Sequence, residues 1–254
     1  MLSYSLSFIK PINSVIEPNN TYYIGTMGPG QAISVLTENK ITTGGIYNEG
    51  GLYDYADVFQ LPENWTYKPS PLFSNPLQVI LTSPPYVKEG RYKIGIVLVD
   101  DGFREKLENY TFYVLINITY DIFSVSLDSL HYSVGVKQPL YLNLHIKNKG
   151  DVGDIYIVEA ISENNYIYKE YFIPARSTKD VTLDLRYLSR GKKHIVIHVW
   201  PKSSDMLTSE YLVDVDVKGS FKSDFSALTK GIIVIFPHED IIYTFLSMFS
   251  GLVH

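Results

Sequence analysis

The amino-acid sequence predicts an all-β protein made of two consecutive β-sandwiches, followed by a short C-terminal helix. Three observations lead to this prediction. Short segments in which apolar and polar residues alternate are spread over residues 1–218 and are separated by turn residues. The pattern of these segments recurs about halfway along the chain. After residue 218 the alternation stops, and an apolar stretch with helical spacing follows.

Alternation with a period of two is the main local signal. Tyr92, Ile94, Ile96 and Leu98 give one segment an apolar face, and the same alternation recurs at 110–120, 140–146, 155–160, 181–185, 194–200 and 211–217. The chain contains 21 Tyr and only 19% charged residues, a composition that favours strands. Short strands without intervening helical segments indicate sandwiches rather than a parallel sheet with crossover helices.

An internal repeat divides the chain. One strand begins at Gly90 and another at Gly191, and the strands that follow them lie near Tyr110 and Tyr211. Both offsets are 101 residues (191 − 90 and 211 − 110). A repeat of this length matches one immunoglobulin-like domain of about 100 residues.

The repeat places the first immunoglobulin-like domain at residues 1–119 and the second at residues 120–218. Residues 219–254 are predicted to form a linker and a tail. Apolar residues of the tail recur at helical spacing: Ile241, Ile242, Phe245, Leu246 and Phe249. A helix of about 15 residues is shorter than the ~20 residues needed to span a bilayer. We therefore expect its apolar face to contact the second domain, a membrane interface or a neighbouring subunit.

Composition and motifs argue against several classes of function. The chain has no cysteine, which excludes thiol catalysis, disulfides and zinc–thiolate sites. Its net charge is −5 and it has no run of Lys or Arg, so we expect no nucleic-acid partner. The G-x-S-x-G, H-E-x-x-H, P-loop and dinucleotide-binding motifs are missing from the sequence. We expect a protein that is not an enzyme, with no catalytic residues and no cofactor.

Two groups of residues have side chains that can ligate a metal. His194 and His198 lie four residues apart on one strand, about 13 Å from each other, which is too far to share one metal. Asp151 and Asp154 lie in a turn whose oxygens could bind calcium. Asp in such turns more commonly satisfies the backbone. We therefore expect no metal site.

Turn motifs of the second domain resemble those of CARDB-like (cell-adhesion-related) domains and of the related sandwich domain attached to some glycosidases. Residues 146–154 read IKNKGDVGD, with an Asn-x-Gly turn at the end of a strand. Residues 172–183 read FIPARSTKDVTL, with a Pro-x-x-Ser turn before the next strand, and the strand at Gly191 follows. The resemblance implies an extracellular surface protein of archaea or bacteria, in which the sandwich acts as a spacer, an adhesive module or an assembly unit.

Four N-glycosylation acceptor motifs lie in the first domain, at Asn19, Asn64, Asn109 and Asn117. They suit an extracellular chain. No signal peptide is visible, because the first residues alternate as a strand instead of forming a continuous apolar segment. We expect a cell-surface location for the mature or trimmed protein.

Aromatic residues near a Gly-rich stretch form a second candidate contact region, comprising Tyr47, Tyr53, Tyr55, Trp65 and Tyr67. Tyr and Trp give a large contact area at low entropic cost and stack on sugar rings. The alternative is that these rings pack over their own domain.

Three functions follow from these observations. The first is a structural or adhesive ectodomain held to a membrane or surface lattice by its tail. The second is a polymerising subunit of a filament or virion, in which the N-terminal strand Leu2–Phe8 pairs with a sheet edge of the next subunit. The third is an accessory carbohydrate-binding module. The expected partners are therefore a protein or a second copy, with contact to a membrane or a glycan.

Overall fold

A computed structural model describes residues 6–38, 53–102, 107–163 and 165–219 of the 254-residue chain. Within these ranges all regular elements are β-strands. The same ranges contain no helix that is long and apolar enough to cross a membrane. The all-β prediction is confirmed. The predicted C-terminal helix, with its apolar face from Ile241 to Phe249, lies outside the described residues.

The first group of strands surrounds one hydrophobic core. These strands are β1 (Leu6–Lys10), β2 (Val15–Ile16), β3 (Thr21–Met27), β4 (Ala32–Thr37), β5 (Tyr55–Gln60), β6 (Thr66–Lys68), β7 (Leu77–Thr82), β8 (Gly90–Val99) and β9 (Tyr110–Ile118). They form a five-stranded sheet, in the order β2-β1-β4-β7-β6, and a four-stranded sheet, in the order β3-β9-β8-β5. The first core lies between these two sheets.

The remaining strands surround a second core. They are β10 (Phe123–Leu127), β11 (His131–Gly135), β12 (Pro139–Asn148), β13 (Asp154–Ser162), β14 (Asn165–Ile173), β15 (Thr178–Arg186), β16 (Gly191–Pro201) and β17 (Ser209–Lys218). A three-stranded sheet, β10-β12-β15, faces a five-stranded sheet, β11-β17-β16-β13-β14. The second core fills the space between them.

Alternation along the strands produces both cores. In β12, Leu142, Leu144 and Ile146 are fully buried, whereas Tyr141 and Lys147 on the other face are exposed. Successive side chains of a strand point to opposite faces, so the apolar set enters the core and the polar set meets water. Burying an aliphatic side chain of this size stabilises the fold by about 1.5–3 kcal/mol.

The two halves share a strand arrangement. β3 runs parallel to β9, and β11 runs parallel to β17, while β8 and β16 pair antiparallel with those long strands. β8 begins at Gly90 with φ 149° and β16 begins at Gly191 with φ 114°. L residues with a side chain rarely adopt such backbone angles, whereas glycine does so readily. This gives a physical reason for glycine at both positions of the sequence repeat.

Candidate functional site

A set of hydrogen bonds connects the first group of strands to the second. This contact, which we call the junction, brings residues 25–31 and 85–86 of the first half against residues 151–154 and 203–205 of the second. Only residues 119–122 connect β9 to β10. Ile122 is buried, and its side chain lies against Gly28 and Gly150. A Cβ on Gly150 would lie 2.6 Å from Ile122 Cδ1, so glycine makes room for this apolar contact.

Asp151 binds the backbone of β3 at the junction. Its carboxylate accepts a hydrogen bond from the Thr26 amide (2.7 Å), and its own amide donates to the Thr26 carbonyl (2.8 Å). Arg176 Nε donates to the other carboxylate oxygen (2.7 Å). Burial acts to raise the pKa of Asp151, but the bonds from Arg176 and Thr26 outweigh it and lower that pKa.

Gln31 makes a second bridge across the junction. It is buried, its Oε1 accepts a hydrogen bond from the Gly28 amide (2.8 Å), and its Nε2 donates to Asp154 (2.8 Å). Ser203 donates to the same oxygen of Asp154 (2.5 Å). A buried amide that lost these partners would be left without hydrogen bonds, at a cost of about 1–3 kcal/mol.

Gly30 permits the closest backbone approach in this contact. Its φ is 71°, and a Cβ at this position would lie 1.9 Å from the Ser203 carbonyl oxygen. Ser204 Oγ donates to the Pro85 carbonyl (3.0 Å) on the same side of the junction. The two halves are therefore joined by packing, by backbone contact and by hydrogen bonds from several separate segments.

The Asp151–Asp154 turn thus has a role other than calcium binding. Arg176 and Thr26 donate to the two oxygens of Asp151, and Asp154 accepts from the Ile155 amide as well as from its junction partners. All four carboxylate oxygens already have protein donors. No group of three or more His, Asp or Glu in the described part of the chain has the arrangement of a metal site.

The outer face of the five-stranded sheet is the second candidate region. Glu210, His198, Glu159 and Tyr168 lie side by side on adjacent strands. His198 Nδ1 lies 3.3 Å from Glu159 Oε2, and His198 Nε2 lies 3.6 Å from Glu210 Oε2. The Tyr166 hydroxyl donates to the other oxygen of Glu159 (3.1 Å). This row is a polar ladder on the outer surface of the sheet, in which His198 and Glu159 are hydrogen-bonded to each other.

A shallow depression of about 300 Å³ opens beside this ladder. Its lining residues are Glu159, His198, Trp200, Asp205, Thr208 and Glu210. Tyr86 of the first half reaches its rim, where the hydroxyl donates to Asp205 (3.4 Å). An indole ring next to several carboxylate and hydroxyl oxygens suits a ligand that both stacks and donates hydrogen bonds.

An apolar row lies next to the ladder on the same face. Leu212, Val196, Ile161 and Tyr166 are cross-strand neighbours. Leu212 is 58% exposed, Ile161 41% and Tyr166 66%. Exposed apolar residues that adjoin one another, rather than lying scattered, are typical of an interaction surface.

The sequence-predicted aromatic contact residues are only partly at the surface. Trp65 is 4% exposed and lies 5.3 Å from the ring of Tyr92, and Tyr53 is also buried, with its pKa raised to about 12 by burial. The expectation that these two rings form a contact surface is corrected, because they belong to the first core. Tyr55 is half-buried, Tyr67 is exposed, and Tyr47 lies outside the described residues.

The four glycosylation candidates differ in accessibility. Asn19, Asn64 and Asn109 are exposed, and Asn19 and Asn64 occupy positions with positive φ. Asn117 is half-buried in β9, between β3 and β8.

Sequence reasoning missed both the junction and the outer sheet face. The junction joins residues more than 100 positions apart, so no local pattern indicates it. A signal for the outer face was present in the segment predicted to alternate at 155–160, because its second face also carries apolar residues, at Ile155, Ile157 and Ile161.

Comparison with known proteins gives likeness to solved structures only. The crystal structure of a CARDB domain from Pyrococcus furiosus, in complex with di-metal ions, is 15% identical, with 39% of this chain and 99% of that chain covered and a TM-score of 0.30. A solution structure of a CARDB domain from the same organism is 17% identical. The match covers 38% of this chain and 96% of that chain, with a TM-score of 0.30. A Listeria innocua beta-glucosidase in complex with glucose is 15% identical. The match covers 39% of this chain and 16% of that chain, with a TM-score of 0.29.

No family model matches the chain, and no curated protein matches it. The resemblance to CARDB-like domains that the turn motifs predict is confirmed as a resemblance. Likeness at this level of identity says nothing about a ligand or an activity.

His145, in the three-stranded sheet, is expected to make the stability of the protein depend on pH. His145 lies between Asp180 (2.6 Å) and Asp128 (2.8 Å), and these hydrogen bonds raise its pKa, the bond to Asp180 most strongly. The folded-state pKa lies above the unfolded value of about 6.5. Its stabilising contribution is therefore full below that value and is lost as pH rises through the folded pKa.

We expect His145→Gln to lower the Tm most below about pH 6 and least in the alkaline range, where wild-type His145 is neutral. Thermal melts of both proteins across this range measure the difference. In an Asp180→Asn background the pH dependence of that difference should weaken, because the stronger partner of the imidazolium is gone. A difference that grows toward alkaline pH would contradict this assignment.

Proposed function

We propose that this protein is a non-enzymatic, extracellular structural or adhesive protein in which two tandem immunoglobulin-like domains, residues 1–119 and 120–218, act as one rigid spacer. The junction is the observation that supports this proposal. A spacer must hold its ends at a fixed separation, and a hinge between sandwiches would prevent it. Asp151, Gln31 and Gly30 each join the halves through a different segment.

The described surface supports a role without catalysis. In the depression on the outer sheet face, the carboxylates of Glu159 and Glu210 flank His198 in an open, shallow site. Catalytic sites commonly exclude water and place their reacting groups in a closed pocket. The proposed role requires no cofactor.

An extracellular location is supported by the exposed acceptor sites Asn19, Asn64 and Asn109 and by the resemblance to CARDB-like domains. We propose attachment to a membrane or surface lattice through residues 219–254, most of which lie outside the described residues. The alternative of strand addition requires an N-terminal strand that is free to pair with another subunit, and β1 is not free in this way. Leu6 and Phe8 are buried in the first core, and β1 already pairs with β2 and β4. Residues 1–5 lie outside the described residues.

The spacer proposal is tested by comparing Gly30→Ala with Gly90→Ala. Both glycines have positive φ, but a Cβ at Gly90 meets nothing within 4 Å, whereas one at Gly30 would collide with Ser203. Spin labels on Lys68→Cys and Asp184→Cys would report the separation of the halves without background, since the chain has no cysteine. We expect one narrow distribution of label-to-label distances in the labelled protein without a glycine substitution and in the control variant Gly90→Ala. In Gly30→Ala we expect the distribution to be shifted or broadened.

Asp151→Ala provides a second variant that adds no bulk. It removes the side-chain bond to Thr26 and should also broaden the distribution. A broad distribution in the protein without junction changes would contradict the spacer proposal.

Glycosylation tests the extracellular part of the proposal. In protein secreted by a glycosylating host, we expect glycan on Asn64 and Asn109, because both are exposed, and none on Asn117 within β9. Mass spectrometry of glycosidase-treated peptides measures occupancy at each site. Unmodified Asn64 and Asn109 would count against this use of the motifs.

A second candidate function is carbohydrate binding, favoured by the exposed depression around Trp200. Sugars stack on indole rings and donate hydroxyl hydrogens to carboxylates such as Glu159 and Glu210. If a glycan array reveals a ligand, Trp200→Ala should abolish its binding. Tyr141→Ala, which removes an exposed ring from the opposite sheet, should leave binding unchanged. Equal binding by both variants would exclude the Trp200 depression as the binding site.

A further inference from the structure

The edge strand β14 is rich in aromatic and aliphatic residues. β14 pairs with β13 on one side and ends the five-stranded sheet on the other. It is nine residues long, and its outward-facing rings at Tyr166, Tyr168 and Phe172 are exposed. Its only charged residues are Lys169 and Glu170. A long edge strand with little charge readily pairs with another strand.

The other long edge of the same half provides a contrast. β15 is also nine residues long, and it ends the three-stranded sheet. Its charged residues are Lys179, Asp180, Asp184 and Arg186. Charges along an edge oppose pairing with another chain. One long edge of this half therefore carries four charged residues, whereas the other carries two.

We propose that β14 pairs antiparallel with β14 of a second copy of this chain, with the two Tyr168 residues facing each other on a twofold axis. The charges of β14 favour this register of self-pairing. Pairing centred on Lys169 would place two ammonium groups opposite each other, and pairing centred on Glu170 would do the same with two carboxylates. Like charges directly opposite in a sheet are destabilising.

Centring on Tyr168 removes both conflicts. Tyr166 then faces Glu170 of the partner copy, and Ile167 faces the aliphatic stem of Lys169. Within one chain the Tyr168 hydroxyl already donates to Glu170 (3.2 Å), so a hydroxyl–carboxylate contact suits this surface. The polar ladder Glu210–His198–Glu159–Tyr168 would continue across the axis into the second copy. Pairing over Tyr166–Glu170 also avoids Asn165, whose side chain contacts the backbone of Arg186.

The expected assembly is closed. A twofold pairing of identical edges uses the same surface on both copies and leaves neither β14 available for a third. β15, with its charges, does not extend the assembly. β14 contributes no residue to the junction, so its self-pairing does not depend on whether the two halves form a rigid spacer.

Thiol crosslinking tests this register in the 254-residue chain, which has no native cysteine. On the axis, two Tyr168→Cys residues would have Cβ atoms about 5 Å apart. A short bifunctional thiol reagent should therefore convert most of this variant to a covalent dimer. In Tyr166→Cys the two thiols would lie about 13 Å apart along the strands, and crosslinking should be several-fold less efficient. Asp184→Cys, on the charged edge, is a second control.

A charge substitution tests the pairing without chemical modification. Tyr168→Lys places two ammonium groups on the axis and should give a monomer by sedimentation equilibrium at concentrations where the unmodified chain is a dimer. Tyr141→Lys replaces an exposed Tyr of β12, an internal strand, and should remain dimeric. Circular dichroism verifies that both variants fold.

The proposal is overturned if the unmodified chain sediments as a monomer at about 100 μM, a concentration well above the micromolar Kd expected of a specific interface. It is also overturned if all three cysteine variants crosslink equally, or if Tyr168→Lys leaves the dimer intact.

Discussion

The hydrogen bonds between Asp151 and Thr26 are the interaction on which the arrangement of the protein depends. Each half has its own core and its own pair of sheets, so neither core fixes the direction of the other. The Asp151 turn attaches the second half directly to the backbone of β3, as a further strand partner would. Arg176 holds the same carboxylate from the other side and thus keeps the turn in position.

Several small residues make this contact close. Gly28 and Gly150 leave space for Ile122, and Gly30 lets its backbone approach Ser203. Close packing excludes water and strengthens the hydrogen bonds of Gln31 and Asp154. In the proposed rigid spacer, the depression near Trp200 and the edge strand β14 are therefore held in a fixed relation to the first half.

Much of the fold could be predicted from the sequence, because alternation with a period of two is a local property. The spacing of the repeat predicts strands that begin at Gly90 and Gly191, and the positive φ of both residues explains why each is a glycine. The surface was less predictable. Its position near a Gly- and Tyr-rich stretch predicts that Trp65 can stack on a sugar, yet its ring belongs to the first core. The sequence of a turn-rich stretch does not show whether a single aromatic side chain points inward or outward. Asp151 could be recognised as a turn residue, but its partner is 125 residues away.

Residual dipolar couplings, measured for both halves in one alignment medium, test the central claim most directly. If the junction fixes the two sandwiches, couplings from β4 and β8 in the first half and from β12 and β16 in the second should fit a single alignment tensor with the orientation described here. Two tensors of different magnitude would show that the halves reorient independently, and would contradict the rigid-spacer account.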